Sequence, residues 1–149
     1  MSRHGILVKA YTAFRDHWDK DEEGYFYDLE TVETVARGFD EVPIGDKPWL
    51  GVYAGTETFE YLPSHQIKST LELIVLLHLS ITDDHSRIRH LDYGITSIIK
   101  TLRQSILCEA GAIATNLMSV ETDEGDPGAM DAGTLIARFN VTYMRTDPL

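Results

Sequence analysis

Cysteine is almost absent from this 149-residue sequence. Cys108 stands alone, which excludes an intrachain disulfide and a cysteine-based zinc site. Long hydrophobic runs are absent too, since the longest, Leu73–Leu77, falls far short of the ~18 residues that a membrane-spanning helix needs. Lys9 interrupts the short apolar stretch near the N-terminus, so we expect no signal peptide. These absences predict a protein made in the cytoplasm, with no membrane partner.

Basic residues are also scarce. The sequence has 13 Lys and Arg residues against 24 Asp and Glu residues, a formal net charge of −11. Because affinity for nucleic acid comes from cations that neutralise phosphates, this balance disfavours a DNA- or RNA-binding protein. It is compatible with a channel through which DNA slides without sticking, and equally with a surface charge that only keeps the protein soluble.

Recognisable catalytic and cofactor motifs are missing. The sequence has no GxGxxG, GxxxxGKS/T, GxSxG or HExxH pattern. Of the six histidines, His85 and His90 are five positions apart and so do not share a helix face, and His78 falls in an apolar strand. The sequence therefore predicts a protein that is not an enzyme and has no cofactor and no metal ligands.

A run of carboxylates lies near the C-terminus. It consists of Glu121, Asp123, Glu124 and Asp126. Gly125 is present, but the spacing does not match the ligand positions of a calcium-binding EF-hand loop. The favoured interpretation is a solvated acidic loop. The alternative, a small metal-dependent enzyme that combines this run with His85 or His90, stays open at this point.

The composition is that of a folded protein, with 43% hydrophobic and 25% charged residues, and nothing divides residues 1–149 into more than one domain. An apolar stripe at a spacing of four predicts a first helix over residues 3–18; its members are Ile6, Ala10, Phe14 and Trp18. A second one-sided stripe predicts a helix from Ser86 to about Cys108, with Gly111 as its stop.

Strand patterns fill the rest of the sequence. β-Branched residues favour a strand from Thr31 to Phe39, and Trp49–Ala54 predicts another, with Thr56–Tyr61 returning as a hairpin arm across Ala54-Gly55. The clearest strand, residues 68–81, is apolar on both faces in its middle. This predicts that a helix covers one face and that a neighbouring subunit covers the other.

The last third predicts a long hairpin with arms Asn116–Thr122 and Thr134–Met144, the second arm alternating between apolar and polar residues. The order α-β-β-β-α-β-β defines an α+β fold, a mainly antiparallel sheet with two main helices packed on it and a long C-terminal β-hairpin.

The second predicted helix also carries a basic face in an otherwise acidic chain. Its members are Arg87, Arg89, Lys100 and Arg103. A basic helix face and an acidic loop on the same chain are complementary, as a head-to-tail contact between subunits requires. Ordinary surface charge explains the same pattern equally well.

The C-terminal hairpin carries a family resemblance. An arm that ends Val120-Glu121-Thr122-Asp123, an acidic loop rich in Gly and Pro, and the arm Leu135–Tyr143 resemble the tail-terminator (tail-completion) proteins of long-tailed bacteriophages. The likeness in element order covers nearly the whole chain, and the residue-level likeness is concentrated in Val120–Asp126 and Ala137–Tyr143. Residues 25–48 match least.

The resemblance implies a structural virion protein, assembled in the host cytoplasm, with no catalytic residues. Its expected partners are further copies of itself in a ring, usually six-fold, together with the tail tube protein and the head connector or neck proteins. DNA would pass through the lumen without specific binding. On this interpretation the acidic run faces the lumen or an adjacent ring, and the basic helix face meets the neighbouring subunit.

Three alternatives stay open. Another neck, head-completion or tube-like subunit belongs to the same structural class. A metal-dependent enzyme and an acidic adaptor for a basic partner belong to others. A tube protein would form long polymers, a metal enzyme would be stabilised by calcium or zinc, and an adaptor would be monomeric alone.

Overall fold

The structure is a computed structural model. It describes residues 3–19, 21, 25, 27, 29, 31–34, 48–79, 84–103, 111–123 and 133–145, with side chains throughout these ranges except at Thr31, residues 84–88 and Asp123. Residues 35–39 of the predicted strand Thr31–Phe39, the predicted end of the second helix at Cys108, and the acidic residues Glu124 and Asp126 lie outside the described residues.

Two helices and five strands make up the described fold, and they confirm the α+β class. In chain order they are α1 (Arg3–His17), β1 (Thr31–Glu33), β2 (Trp49–Tyr61), β3 (Ile67–Leu79), α2 (Asp84–Arg103), β4 (Ala112–Asp123) and β5 (Gly133–Arg145). The strands form one sheet in the order β1-β2-β3-β5-β4. Only the β1–β2 pair is parallel; the other pairs are antiparallel.

The core lies between the two helices and one face of the sheet. The alternation predicted for the clearest strand is found in β3, where Leu71, Leu73, Val75, Leu77 and Leu79 are all fully buried. Their partners on β5 include Val141 opposite Leu71 and Phe139 opposite Leu73. Ile6, Ala10 and Phe14 of α1, and Trp18 just after it, are buried against the same core. Leu91, Ile98 and Leu102 of α2 join them. We call this face of the sheet the helix side.

The hairpin predicted at Ala54-Gly55 is wrong. β2 runs without a break from Trp49 to Tyr61 along β3, and the register shifts between Ala54 and Glu57. A glycine in a strand marks a bulge as readily as a turn, and only the partner strand distinguishes the two. Arg3 on α1 anchors the bulge, because its guanidinium donates to the carbonyls of Ala54 at 3.4 Å and Gly55 at 3.0 Å.

The actual β2–β3 turn lies at residues 62–66. Leu62 N–H donates to the Gln66 carbonyl at 2.9 Å, and His65 N–H donates to the Leu62 carbonyl at 3.1 Å. His65 has φ 64°, in the left-handed region. Gly111 has φ 95° directly before β4, so it supplies a backbone conformation that few other residues adopt easily. β2 and β3 therefore form one long hairpin. We call the turn together with the adjoining ends of the two strands, residues 59–67, the end of this hairpin.

The second face of the sheet, which we call the open side, is covered in part by the chain itself. Trp49 and Leu76 are both buried there, and Tyr53 and Ile136 pack around them. The indole of Trp49 lies across Gly51, where an added Cβ would come within 2.5 Å of the ring. The apolar middle of β3 on this side thus has an intrachain partner in Trp49.

Candidate assembly surfaces

The acidic run begins on the open side of the sheet. Glu121 lies on β4 opposite Ile136, with 65% of its side chain exposed and its Oε1 4.0 Å from Nη2 of Arg138. Arg138 is also 3.9 Å from Oε1 of Glu72. One guanidinium is therefore shared by two carboxylates across β3, β5 and β4, which leaves a net negative charge. Exposed pairs at this distance add little stability.

The basic face of α2 is not uniform. Lys100 is half-buried, and its Nζ lies 4.6 Å from the ring centroid of Tyr25, whose hydroxyl is 2.7 Å from Oγ1 of Thr101. Arg89 and Arg103 are exposed, and the side chain of Arg87 is not described by the structure. Lys100 thus already has a cation–π partner inside the chain, which the sequence pattern did not reveal.

A cleft opens between the C-terminal end of α2 and the edge strand β4. Its volume is about 320 Å³, and it is lined by Ile99, Leu102, Arg103, Thr115, Asn116, Leu117 and Phe139. Apolar and polar side chains share this lining, and exposed Arg103 brings a cation to it. We call it the α2–β4 cleft. Sequence reasoning placed Arg103 on a basic face but gave no sign of the cleft, because helix and strand meet only through the fold.

The edge strand β4 carries two bulges beside this cleft. The register with β5 shifts at Ile113 and again at Met118. Each bulged residue is a large apolar side chain with 59% of its surface exposed. No other strand among the described residues pairs with the outer side of β4. Exposed apolar groups at a sheet edge are typical of a contact surface.

A second apolar surface lies at the end of the β2–β3 hairpin. Phe59 is 42% and Tyr61 is 72% exposed. Their partners in β3, Ser69 and Ile67, are on the helix side. The two helices therefore leave this end of β2 uncovered. We call Phe59 and Tyr61 the aromatic end of the hairpin.

A buried polar group supports that aromatic end. Glu57 and Arg145 form an ion pair at 2.9 Å with side chains only 6% and 13% exposed. Tyr143 donates a hydrogen bond to the same Glu57 carboxylate. Burial, together with this bond, raises the pKa of Tyr143 to about 12. The Arg145 guanidinium lies 5.5 Å from the ring centroid of Phe59. None of these residues was singled out from the sequence.

Two of the described histidines, His78 and His90, are packed against other residues, while His4, His17 and His65 are exposed. His78 is buried on β3 with its Nδ1 3.4 Å from Oγ1 of Thr134, and burial lowers its pKa. His90 stacks on Tyr27 with ring centroids 5.3 Å apart. Among the described residues, no group of three His, Cys, Asp or Glu side chains could hold a metal ion. Within those same ranges, neither helix is long and apolar enough to cross a bilayer.

Comparison with known proteins places the chain in a family. The family model described as "Bacteriophage Tail Tube Terminator Protein" matches residues 1–147. The chain therefore belongs to the bacteriophage tail tube terminator family, and the resemblance seen in the sequence is confirmed. It is a structural protein of the phage tail, and its location is the virion.

Two further comparisons are less informative. No curated protein matches the sequence. Among solved structures, the chain is similar to one from "Virion of native gene transfer agent (GTA) particle", with 8% sequence identity and a TM-score of 0.46, covering 93% of this chain and 94% of that one. At that identity and TM-score, the likeness says nothing about what this chain binds.

Proposed function

We propose that this chain assembles into a ring, six-fold in the simplest case, that caps the finished tail tube, stops its polymerisation and joins the tail to the head connector. The observation that carries the proposal is the family match over residues 1–147. The role is structural and requires neither a catalytic step nor a cofactor. The partners are other copies of this chain, the tail tube protein and the connector or neck proteins.

Capping follows from surface complementarity. A tube grows because each added subunit presents the surface that the next subunit binds. A ring that binds the last layer and presents a different surface ends that growth. Its outward face then offers the neck a new binding surface. Both tasks require exposed groups on a rigid frame, and the five-stranded sheet braced by α1 and α2 provides one.

Ring closure requires two different contact surfaces on each subunit, because a head-to-tail contact repeated about one axis closes into a ring. Apart from Val8 on α1, the described large exposed apolar groups fall into two such surfaces. One is the aromatic end of the hairpin, and the other is β4 with the adjoining cleft. They lie toward opposite edges of the sheet. This arrangement supports a ring over a two-fold dimer.

The charge distribution supports a lumen for DNA. We place the acidic run, Glu121, Asp123, Glu124 and Asp126, at the lumen or at the adjacent ring. Glu121 is well exposed, and the Arg138 beside it is shared with Glu72. A wall with net negative charge repels the phosphate backbone and lets DNA slide.

The basic face of α2 is proposed to meet the neighbouring subunit; its residues are Arg87, Arg89, Lys100 and Arg103. Arg103 lies at the cleft. In a chain of net charge −11, copies repel each other, and cations at their contact reduce that repulsion. Lys100 contributes less, because it already lies against Tyr25.

The direct test is a phage from which this gene has been deleted. We expect separate heads and tails, with tubes of excess length in negative-stain images. Supplying the wild-type gene from a plasmid should restore joined particles of uniform tail length. Normal tails joined to heads in the deletion strain would refute the proposal. Long polymers formed by the purified protein alone would instead identify a tube-like subunit.

A further inference from the structure

We propose that the aromatic end of the hairpin, Phe59 and Tyr61, inserts into the α2–β4 cleft of the next copy in the ring. This inference rests on the ring of the proposed function and specifies which surfaces form its contact. It identifies the occupant of the cleft as a second copy of this chain.

The aromatic end is presented for contact. Tyr61 is 72% exposed and Phe59 is 42% exposed, although both lie on the helix side of the sheet. Exposed aromatic rings are among the groups that contribute most to protein–protein contacts when they become buried. Phe59 is also held in place, because Arg145 lies over its ring and is itself fixed by the buried Glu57.

The cleft has the size and chemistry for such a group. At ~30 Å³ per liquid water, its volume of about 320 Å³ corresponds to roughly ten water molecules, enough to admit an aromatic side chain. Ile99, Leu102 and Phe139 supply apolar contact. Arg103 supplies a cation, and cations lie over aromatic rings elsewhere in the chain, as Arg15 does over Tyr11.

The two surfaces are placed for a head-to-tail contact. Phe59 belongs to β2, near one edge of the sheet, and Leu117 belongs to β4, the opposite edge. Both residues lie on the helix side of the sheet. Phe59 is paired with Ser69 and Leu117 with Phe139, and residues directly opposite each other in paired strands point to the same side. Because the surfaces differ and lie at opposite edges of one face, each copy can insert into one neighbour and receive the other.

Electrostatics favour the same pairing. Each copy carries a net charge of −11, so a contact between acidic surfaces would be repulsive. The aromatic end brings uncharged rings, and the cleft brings the guanidinium of Arg103. This contact joins like-charged copies without bringing two carboxylate-rich surfaces together.

The test is crosslinking between copies in a Cys108→Ser background, which removes the native thiol. The double variant Tyr61→Cys/Leu117→Cys should give a ladder of covalent multimers up to the ring number under a short bis-maleimide. Neither single variant should form multimers, but a mixture of the two should form dimers. The control double variant Tyr61→Cys/Val8→Cys, with Val8 exposed on α1, should not give a ladder.

The outcomes separate this inference from the proposed function. Assembly is measured first for Cys108→Ser protein by light scattering, alone and on purified tail tubes. If rings form but the double variant gives no ladder, the inference is wrong and the proposed ring still stands. The same conclusion follows if either single variant forms multimers. Absence of rings in both conditions overturns the proposed function. As a check free of thiols, Tyr61→Ser should weaken ring association about tenfold or more, and Val8→Ser should leave it unchanged.

Discussion

Glu57 and Arg145 meet at 2.9 Å although 88 positions separate them in sequence, and the two strands that carry them, β2 and β5, lie on either side of β3. Both side chains are largely buried. Removing two charges from water is costly, and their attraction offsets that cost only if the remaining polar atoms are also paired. Tyr143 provides one further hydrogen bond to Glu57, whereas the buried Nε of Arg145 has no hydrogen-bond partner among the described residues. Through this ion pair, Arg145 at the end of β5 is held beside the ring of Phe59 on β2.

Breaking that pair on one side should destabilise the fold. Arg145→Met leaves Glu57 buried without its cation, and we expect a loss of about 3–5 kcal/mol in the free energy of unfolding, measured by urea denaturation. The double variant Glu57→Gln/Arg145→Met should recover part of this loss. A matched control is Arg15→Met, which breaks the exposed pair with Asp16 and a cation–π contact with Tyr11, and should lower the free energy of unfolding much less than Arg145→Met does. Equal effects at the two sites would contradict the buried-pair interpretation.

Stability should fall at alkaline pH through Tyr143. Its pKa is raised from 10.0 to about 12 in the folded chain, chiefly by burial. The folded state therefore keeps the phenol protonated where the unfolded state releases the proton. The resulting stabilisation is complete below pH ~10 and is lost as pH rises toward 12. Tyr143→Phe should reduce this loss, measured as the urea midpoint between pH 9 and 12. An identical pH profile in the variant would contradict the assignment.

Gly51→Ala should displace the indole of Trp49 from the open side of the sheet. The added Cβ would come within 2.5 Å of that ring, so we expect destabilisation of about 1–3 kcal/mol. The control is a double-mutant cycle. In a Trp49→Leu background the same Gly51→Ala change should cost much less, because the clashing ring is gone. Additive costs in thermal unfolding would show that the clash is not the cause.

The two cations at the end of α2 should behave differently. Lys100→Met removes a cation–π contact with Tyr25 and should lower the free energy of unfolding by about 0.5–1 kcal/mol with little effect on ring association. Arg103→Glu should leave unfolding unchanged and weaken association, measured by light scattering across a dilution series. The reverse pattern would place the subunit contact at Lys100.

Neutralising the acidic run tests its place at the lumen or the adjacent ring. The variant carries Glu121→Gln, Asp123→Asn, Glu124→Gln and Asp126→Asn. We expect fewer infectious particles per joined particle, counted by plaque assay and microscopy, because DNA passage is impaired. A control with the same charge change replaces four exposed carboxylates by amides, at Asp16, Asp19, Asp21 and Asp92. Unchanged assembly, capping and infectivity in the first variant would rule out the idea.

The sequence predicted the elements well where one local pattern decided them. The spacing of Ile6, Ala10 and Phe14 determines the buried face of α1, and alternation in β3 determines its core side. It failed at Ala54-Gly55, because a glycine alone does not distinguish a turn from a bulge. A strand that continues past such a glycine is recognised only by its pairing with β3.

The surfaces were harder to predict than the fold. Arg103 and Glu121 could be named as candidates because charge is visible in a sequence. The α2–β4 cleft was not, since Leu102 and Leu117 approach each other only after β4 has paired with β5. The same holds for Arg145 and Glu57, whose contact depends on β3 lying between their strands. Local patterns carry no information about such distant pairs.

The two bulges of β4 affect whether further strands can add to this edge of the sheet. A strand that tried to extend the sheet at this edge would find the hydrogen-bonding register broken at Ile113 and again at Met118. Fibre growth by strand addition is thereby hindered, while side chains on the same edge stay available for a contact of fixed geometry. If this chain ends tail-tube growth as proposed, its β4 edge is poorly suited to start a fibre of its own.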